Sequence, residues 1–167
     1  LGLSEELPGL IPTVAWKQRT YGADIKDGET VAISIGQGYV VSTPIQLVMM
    51  TAAVANGGKL MKPALVKQIR SADGKVVYDH APVVRGEIPL EAHALSMLDS
   101  AFRDVVVGAA GTGKKCRIPG INVHGKTGTS QVISGKVTHG IEELIPYHER
   151  PHALFVAYVN DRPKKIA

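Results

Sequence analysis

From Ile121 to Ile133 the chain interleaves glycine with β-branched residues. Helices tolerate that composition poorly and strands accept it. The stretch therefore reads as an unusual strand, and whatever chemistry it carries has to be displayed from a strand. Its letters also spell a second pattern. Gly120-Ile121-Asn122-Val123-His124-Gly125-Lys126-Thr127 satisfies G-x-x-x-x-G-K-[ST] in full, the loop that wraps phosphates with backbone amides. In that case Lys126 would reach the terminal phosphates and Thr127 would hold magnesium. That chemistry needs a helix to start at the lysine, yet Gly128-Thr129-Ser130-Gln131-Val132-Ile133 is poor helix and good strand. An acidic residue does follow an apolar strand at Asp161, so a nucleotide-binding enzyme using Gly120 to Thr127 stays as an alternative. Gly108 to Lys115 is a poorer match, because Lys115 stands where serine or threonine is needed.

Read as a strand, the same residues offer a cation on Lys126 and hydroxyls on Thr127 and Thr129, with glycine on both sides of the lysine. Gly128 has no side chain, so a ligand or another backbone can approach closely. The expectation is an anion-binding strand edge. Its simplest form is a non-catalytic module for carboxylates or peptides.

His148-Glu149-Arg150-Pro151-His152 matches H-E-x-x-H, a zinc pattern that requires both histidines one turn apart on a continuous helix. Pro151 removes a backbone donor and turns Arg150 away from helical geometry. These are expected to be loop histidines before a strand, and no metal site is assigned.

Around these motifs the chain alternates loops, helices and strand pairs, which points to α+β. Residues 1–30 carry Pro8, Gly9, Pro12, Gly22 and Gly28 and are expected to be irregular. Val31 to Ile35 is a short β-branched run that ends at Gly36-Gln37-Gly38. Thr43, Pro44 and Gln46 form the start of a helix, with a capping box and proline at its first position. Ile45 to Ala55 is apolar almost all round, so burial on every side is expected, and Asn56-Gly57-Gly58 stops it. Ala64-Leu65-Val66 and Val76-Val77-Tyr78 flank Ala72-Asp73-Gly74 as a predicted hairpin. A second helix is predicted from Leu90 to Val107, with Leu90, Ala94, Met97, Leu98, Ala101, Phe102 and Val105 inward. Glu91, Asp99, Arg103 and Asp104 are expected to face away. Ser134 to Pro151 reads as a polar connection. His152 to Val159 reads as a strand covered on both faces.

With 167 residues the chain suits one domain rather than two. Net charge is +4, and the two short basic clusters, 114–117 and 162–165, lack interleaved aromatics, so no nucleic-acid partner is expected. The single cysteine, Cys116, has no partner for a disulfide or a zinc pair. No apolar run approaches bilayer length. A chain that opens at Leu1 rather than Met is expected to belong to something longer.

Ser34-Ile35-Gly36-Gln37-Gly38, then Ser42-Thr43-Pro44-Ile45-Gln46-Leu47, Asn56-Gly57-Gly58 with Pro63, Gly125-Lys126-Thr127-Gly128-Thr129-Ser130-Gln131 and Ala153-Leu154-Phe155-Val156-Ala157-Tyr158 follow one another in this order. The series resembles the transpeptidase domain of class B penicillin-binding proteins over nearly the whole chain. The long connection after the K-T-G strand looks most like the elongation-type branch, penicillin-binding protein 2.

That resemblance implies the penicillin-binding protein and serine β-lactamase-like fold, an antiparallel sheet with packed helices, with residues 1–167 as the C-terminal portion of one transpeptidase domain. It implies a serine acyl-transferase that cross-links peptidoglycan stem peptides, is inhibited by β-lactams and needs no cofactor. Lys126 would supply positive potential, and Lys126, Thr127, Gly128 and Thr129 would bind substrate. The Thr129 backbone N–H would serve as an oxyanion-hole donor, and His124 would be structural. It further implies a cell-shape function at the periplasmic face of the bacterial inner membrane, through an N-terminal anchor, with a glycosyltransferase of the elongation machinery as partner.

The family nucleophile lies in S-x-x-K, and no serine here has lysine three positions later. Ser71-Ala72-Asp73 has the letters of the second family motif but falls in the predicted hairpin turn. Both motifs are expected upstream of Leu1, so the chain by itself is expected to be inactive.

Overall fold

A computed structural model describes residues 7–131 and 145–161. Its elements are both helical and extended, as α+β requires. By contact clustering the chain falls into two compact units, one built of Pro44–Lys126 with 156–161 and the other of 7–43 with 127–131 and 145–155.

In the first unit, α3 (Pro44–Ala55) packs on β1 (Lys59–Met61) and on α4 (Ala92–Val107). (The helices α1, Val14–Tyr21, and α2, Asp27–Ser34, lie in the second unit.) Gly57 and Gly58 follow α3 with φ of 69° and 96°, a left-handed turn that lets Gly58 N–H close on the Ala53 carbonyl at 2.8 Å. The chain then leaves directly as β1, which pairs antiparallel with β4 (Val84–Glu87) through a bulge between Leu60 and Met61. β2 (Gln68–Arg70) and β3 (Val76–Asp79) form the predicted hairpin. Its first strand lies at 68–70 rather than at Ala64-Leu65-Val66, because the turn closes through Ser71 N–H on the Lys75 carbonyl and register is counted back from there. The buried apolar residues Ala53, Ala55, Val106, Val123 and Tyr158 all belong to this unit.

Two expectations of full burial are corrected. α3 buries Thr51, Ala53 and Ala55, but Val48 and Met50 are 43% and 50% exposed. Met50 lines an open groove with Ala53, Leu60 and Ile88, so even the side of α3 that meets β1 is only partly covered. β6 (His152–Val159) has the predicted bounds, yet only its Val156–Val159 half is covered, where α4 brings Phe102 edge-on to Tyr158 at 6.1 Å between ring centroids.

The second unit corrects the expectation of an irregular start. α1 (Val14–Tyr21) and α2 (Asp27–Ser34) are helices. Thr13 caps α1 by accepting from Trp16 N–H at 3.1 Å, and Gly22 ends it with φ 64°, so a glycine read as loop punctuation is the helix's C-terminal cap. The β-branched run Val31 to Ile35 is mostly the last turn of α2. Between the helices Lys17, 6% exposed, donates to the Glu29 carboxylate at 2.8 Å and to the Tyr39 hydroxyl at 2.6 Å. Its ammonium also lies over the rings of Tyr21 and Tyr39, at 4.6 and 4.3 Å. Most of the polar connection 134–151 lies outside the described residues.

Candidate functional site

β5 (Val123–Ser130) pairs with β6. Asn160 N–H donates to the Asn122 carbonyl at 2.9 Å, His124 lies on Tyr158 with ring centroids 5.0 Å apart, and a Cβ on Gly128 would meet Leu154 at 3.5 Å. These three pairs share one antiparallel offset. In such a ladder every second residue bonds the partner strand and the residues between turn their N–H and C=O the other way. The even positions from Asn122 to Ser130 therefore bond toward β6. Thr127 and Thr129 turn their backbone groups to the opposite edge, where no further strand pairs among the described residues.

Side chains alternate across the same pleat. Thr127 and Thr129 share one face, while Lys126 and Gly128 share the other. Lys126, Gly128, Thr129 and Ser130 are exposed and Thr127 is half-buried. No helix starts at Lys126, which sits in the middle of an unbroken strand. That removes the geometry a phosphate-wrapping loop needs.

Behind the strand, His124 is 3% exposed. Its Nδ1 lies 3.1 Å from the Asp99 carbonyl and 3.2 Å from the Asp99 carboxylate. The same carboxylate accepts from the Tyr158 hydroxyl at 2.5 Å. Burial, and then this acidic partner, push the Tyr158 phenol well above its ordinary range, so it remains a hydrogen-bond donor. His124 is thus held as part of the wall rather than offered to a ligand.

Asp99 was expected to face away, and this is a correction. Leu95, Asp99, Phe102 and Val106 recur at steps of four, three and four, so Asp99 lies half-buried on the face of α4 that carries the buried Val106. That spacing could have located it from the letters alone. Nothing in the sequence pointed to the Lys17, Glu29 and Tyr39 cluster, whose members come from three separate segments.

The remaining motifs separate from the site. His148 and Glu149 lie in a short 3-10 turn, Tyr147–Glu149, and His152 opens β6. Among the described residues no cluster could hold a metal. Ser71 donates its hydroxyl to the Asp73 carboxylate inside the β2–β3 turn, so the S-x-D letters belong to that turn. Cys116 is a half-buried free thiol.

Lys126-Thr127-Gly128-Thr129 therefore lies on a strand with no further strand paired to its other edge among the described residues, in a chain of helices and small antiparallel sheets. The family described as penicillin binding protein transpeptidase domain matches residues 1–167. A peptidoglycan D,D-transpeptidase MrdA from Salmonella typhimurium is 34% identical over 173 residues, covering 100% of this chain and 27% of its own length. Pseudomonas aeruginosa PBP2, solved in complex with WCK 5153, superposes with a TM-score of 0.72 at 35% identity, covering 96% of this chain and 32% of that one. PBP2 from Helicobacter pylori, solved in complex with MreC, gives a TM-score of 0.69 at 26% identity, covering 93% and 25%. The chain belongs to the penicillin-binding protein transpeptidase family. It spans about a quarter of the length of the curated relatives it matches.

Proposed function

We propose that the protein carrying this chain is a peptidoglycan D,D-transpeptidase, and that residues 1–167 form the C-terminal portion of its single transpeptidase domain. A serine hydroxyl attacks a stem-peptide carbonyl and expels the terminal residue as an amine, which takes up a proton. The amine of a second stem peptide then attacks the resulting ester and restores the serine. That serine belongs to an S-x-x-K motif outside this chain.

This chain supplies one wall of the site. Lys126 contributes positive potential, and the Thr127 and Thr129 hydroxyls bind the substrate carboxylate or that of a β-lactam. Gly128 allows close approach, and the Thr129 N–H donates to the oxyanion. The observation that carries this is the direction of the Thr127 and Thr129 backbone, toward an edge to which a peptide can add as a strand. Likeness to MrdA and PBP2 supports elongation-type work in cell-shape maintenance. On the same reading the protein works at the periplasmic face of the inner membrane, held by an N-terminal anchor, with a glycosyltransferase of the elongation machinery as partner. No helix among the described residues is long and apolar enough to cross a membrane.

The test is covalent labelling by a fluorescent penicillin. The full-length protein should take one label per chain, and the isolated 167-residue chain should take none. A stoichiometric adduct on the isolated chain contradicts the division of labour. A full-length protein that binds stem peptide but never labels favours the non-catalytic carboxylate-binding module.

A further inference from the structure

Gln37 sits between two glycines in left-handed conformation, Gly36 at φ 76° and Gly38 at φ 70°. Its own N–H is tied back to the Ala32 carbonyl of α2 at 2.9 Å. The next residue but one, Tyr39, is pinned by Lys17 at 2.6 Å and donates to Glu29 at 3.0 Å. The turn is therefore anchored at both ends, and the two glycines project the glutamine from it. Its side chain crosses to β5, where Nε2 donates to the Thr129 carbonyl at 2.5 Å. Gln37 and Thr129 lie within the same compact unit.

The identity of that acceptor matters. Thr129 is one of the two residues whose backbone turns to the open edge of β5. A peptide adding to this edge brings an N–H to the Thr129 carbonyl, as every antiparallel ladder does. The Gln37 carboxamide is chemically the same donor, a planar amide N–H, already in that place.

We propose that Gln37 is a competitive gate on the peptide-binding edge: its carboxamide holds the Thr129 carbonyl until the backbone N–H of an incoming acyl-amide ligand displaces it. This rests on the assignment of β5 as the substrate-binding strand. Ligands with an amide N–H at that point must displace the gate, whereas ligands without one leave it in place. The glutamine thus lowers the advantage that amide-bearing ligands would otherwise have.

The test uses the full-length protein with Gln37→Leu and, separately, Gln37→Ala. Second-order acylation rates are measured with a penicillin carrying an acylamino N–H and with a carbapenem lacking one. Freeing one hydrogen-bond acceptor should raise the penicillin-to-carbapenem rate ratio about threefold to tenfold in both variants. The carbapenem rate reports in the same sample that the site is folded. A ratio that stays level, or falls, overturns the gate. A fall would mean that Gln37 steadies the Thr129 peptide plane for the ligand. Wild-type protein that labels with neither compound counts instead against the transpeptidase assignment itself.

Discussion

Behind β5 the Tyr158 hydroxyl donates to the Asp99 carboxylate at 2.5 Å, and His124 Nδ1 lies 3.1 Å from the carbonyl of the same residue. Tyr158 is 1% exposed, so Tyr158→Phe removes a donor where water cannot easily replace it. The expected loss is about 1–2 kcal/mol, read as a lower denaturant midpoint with an unchanged slope. Glu29 gives a prediction in pH. Its carboxyl is held at about 2, against an ordinary 4.5, first by the Lys17 ammonium and then by the Lys26 backbone N–H. A depressed carboxylate pKa stabilises the fold above the unfolded value and loses that contribution as pH falls through the folded one. Stability should therefore decline between about pH 4.5 and 2 more steeply in the wild type than in Glu29→Gln, as melting temperature against pH will show. Lys17 is pushed above its ordinary 10.5 by the same pairing, so its share is lost only at still higher pH.

At the scale of elements, the sequence foretold best where a local rule was sufficient. Proline at the first position and Asn56-Gly57-Gly58 at the end bound α3, and a nearly continuous apolar run bounded β6. It foretold least where burial depends on what lies across from a residue. Leu90 to Val107 was read as a helix, but Asp99 was placed outward because it is charged; its two partners, from β5 and β6, are distant in the chain. The prolines and glycines of the first thirty residues suggested loop, although Gly22 caps a helix rather than interrupting one. Gly111 tests the packing below α4. A Cβ there would clash with the Val105 carbonyl oxygen and lie 2.7 Å from that of Asp104, both backbone atoms that cannot swing aside. Gly111→Ala should cost about 1–3 kcal/mol in unfolding free energy. Gly128→Ala meets only ordinary contact, with Leu154 at 3.5 Å, and should leave the melting temperature nearly unchanged.

For the molecule as a whole, the family was legible because several motifs keep one order along the chain, which no single three-residue match could establish. The chemistry at Lys126 was legible only once the segment was known to be a strand, since its letters fit a phosphate loop equally well. The link from the G-Q-G turn to Thr129 was not legible at all, because it joins residues far apart in sequence through one side-chain amide. Apolar residues left open on α3, such as Val48 and Met50, accord with a chain that spans about a quarter of its curated relatives. The central claim is that this chain contributes the substrate-binding wall of a serine transpeptidase and not its nucleophile. The most direct measurement is the rate of acylation of the full-length protein by a fluorescent penicillin, with and without Lys126→Ala. The rate should fall on the order of a hundredfold, with the labelled serine mapping outside residues 1–167. An unchanged rate, or a label mapping to a serine within this chain, would contradict the claim.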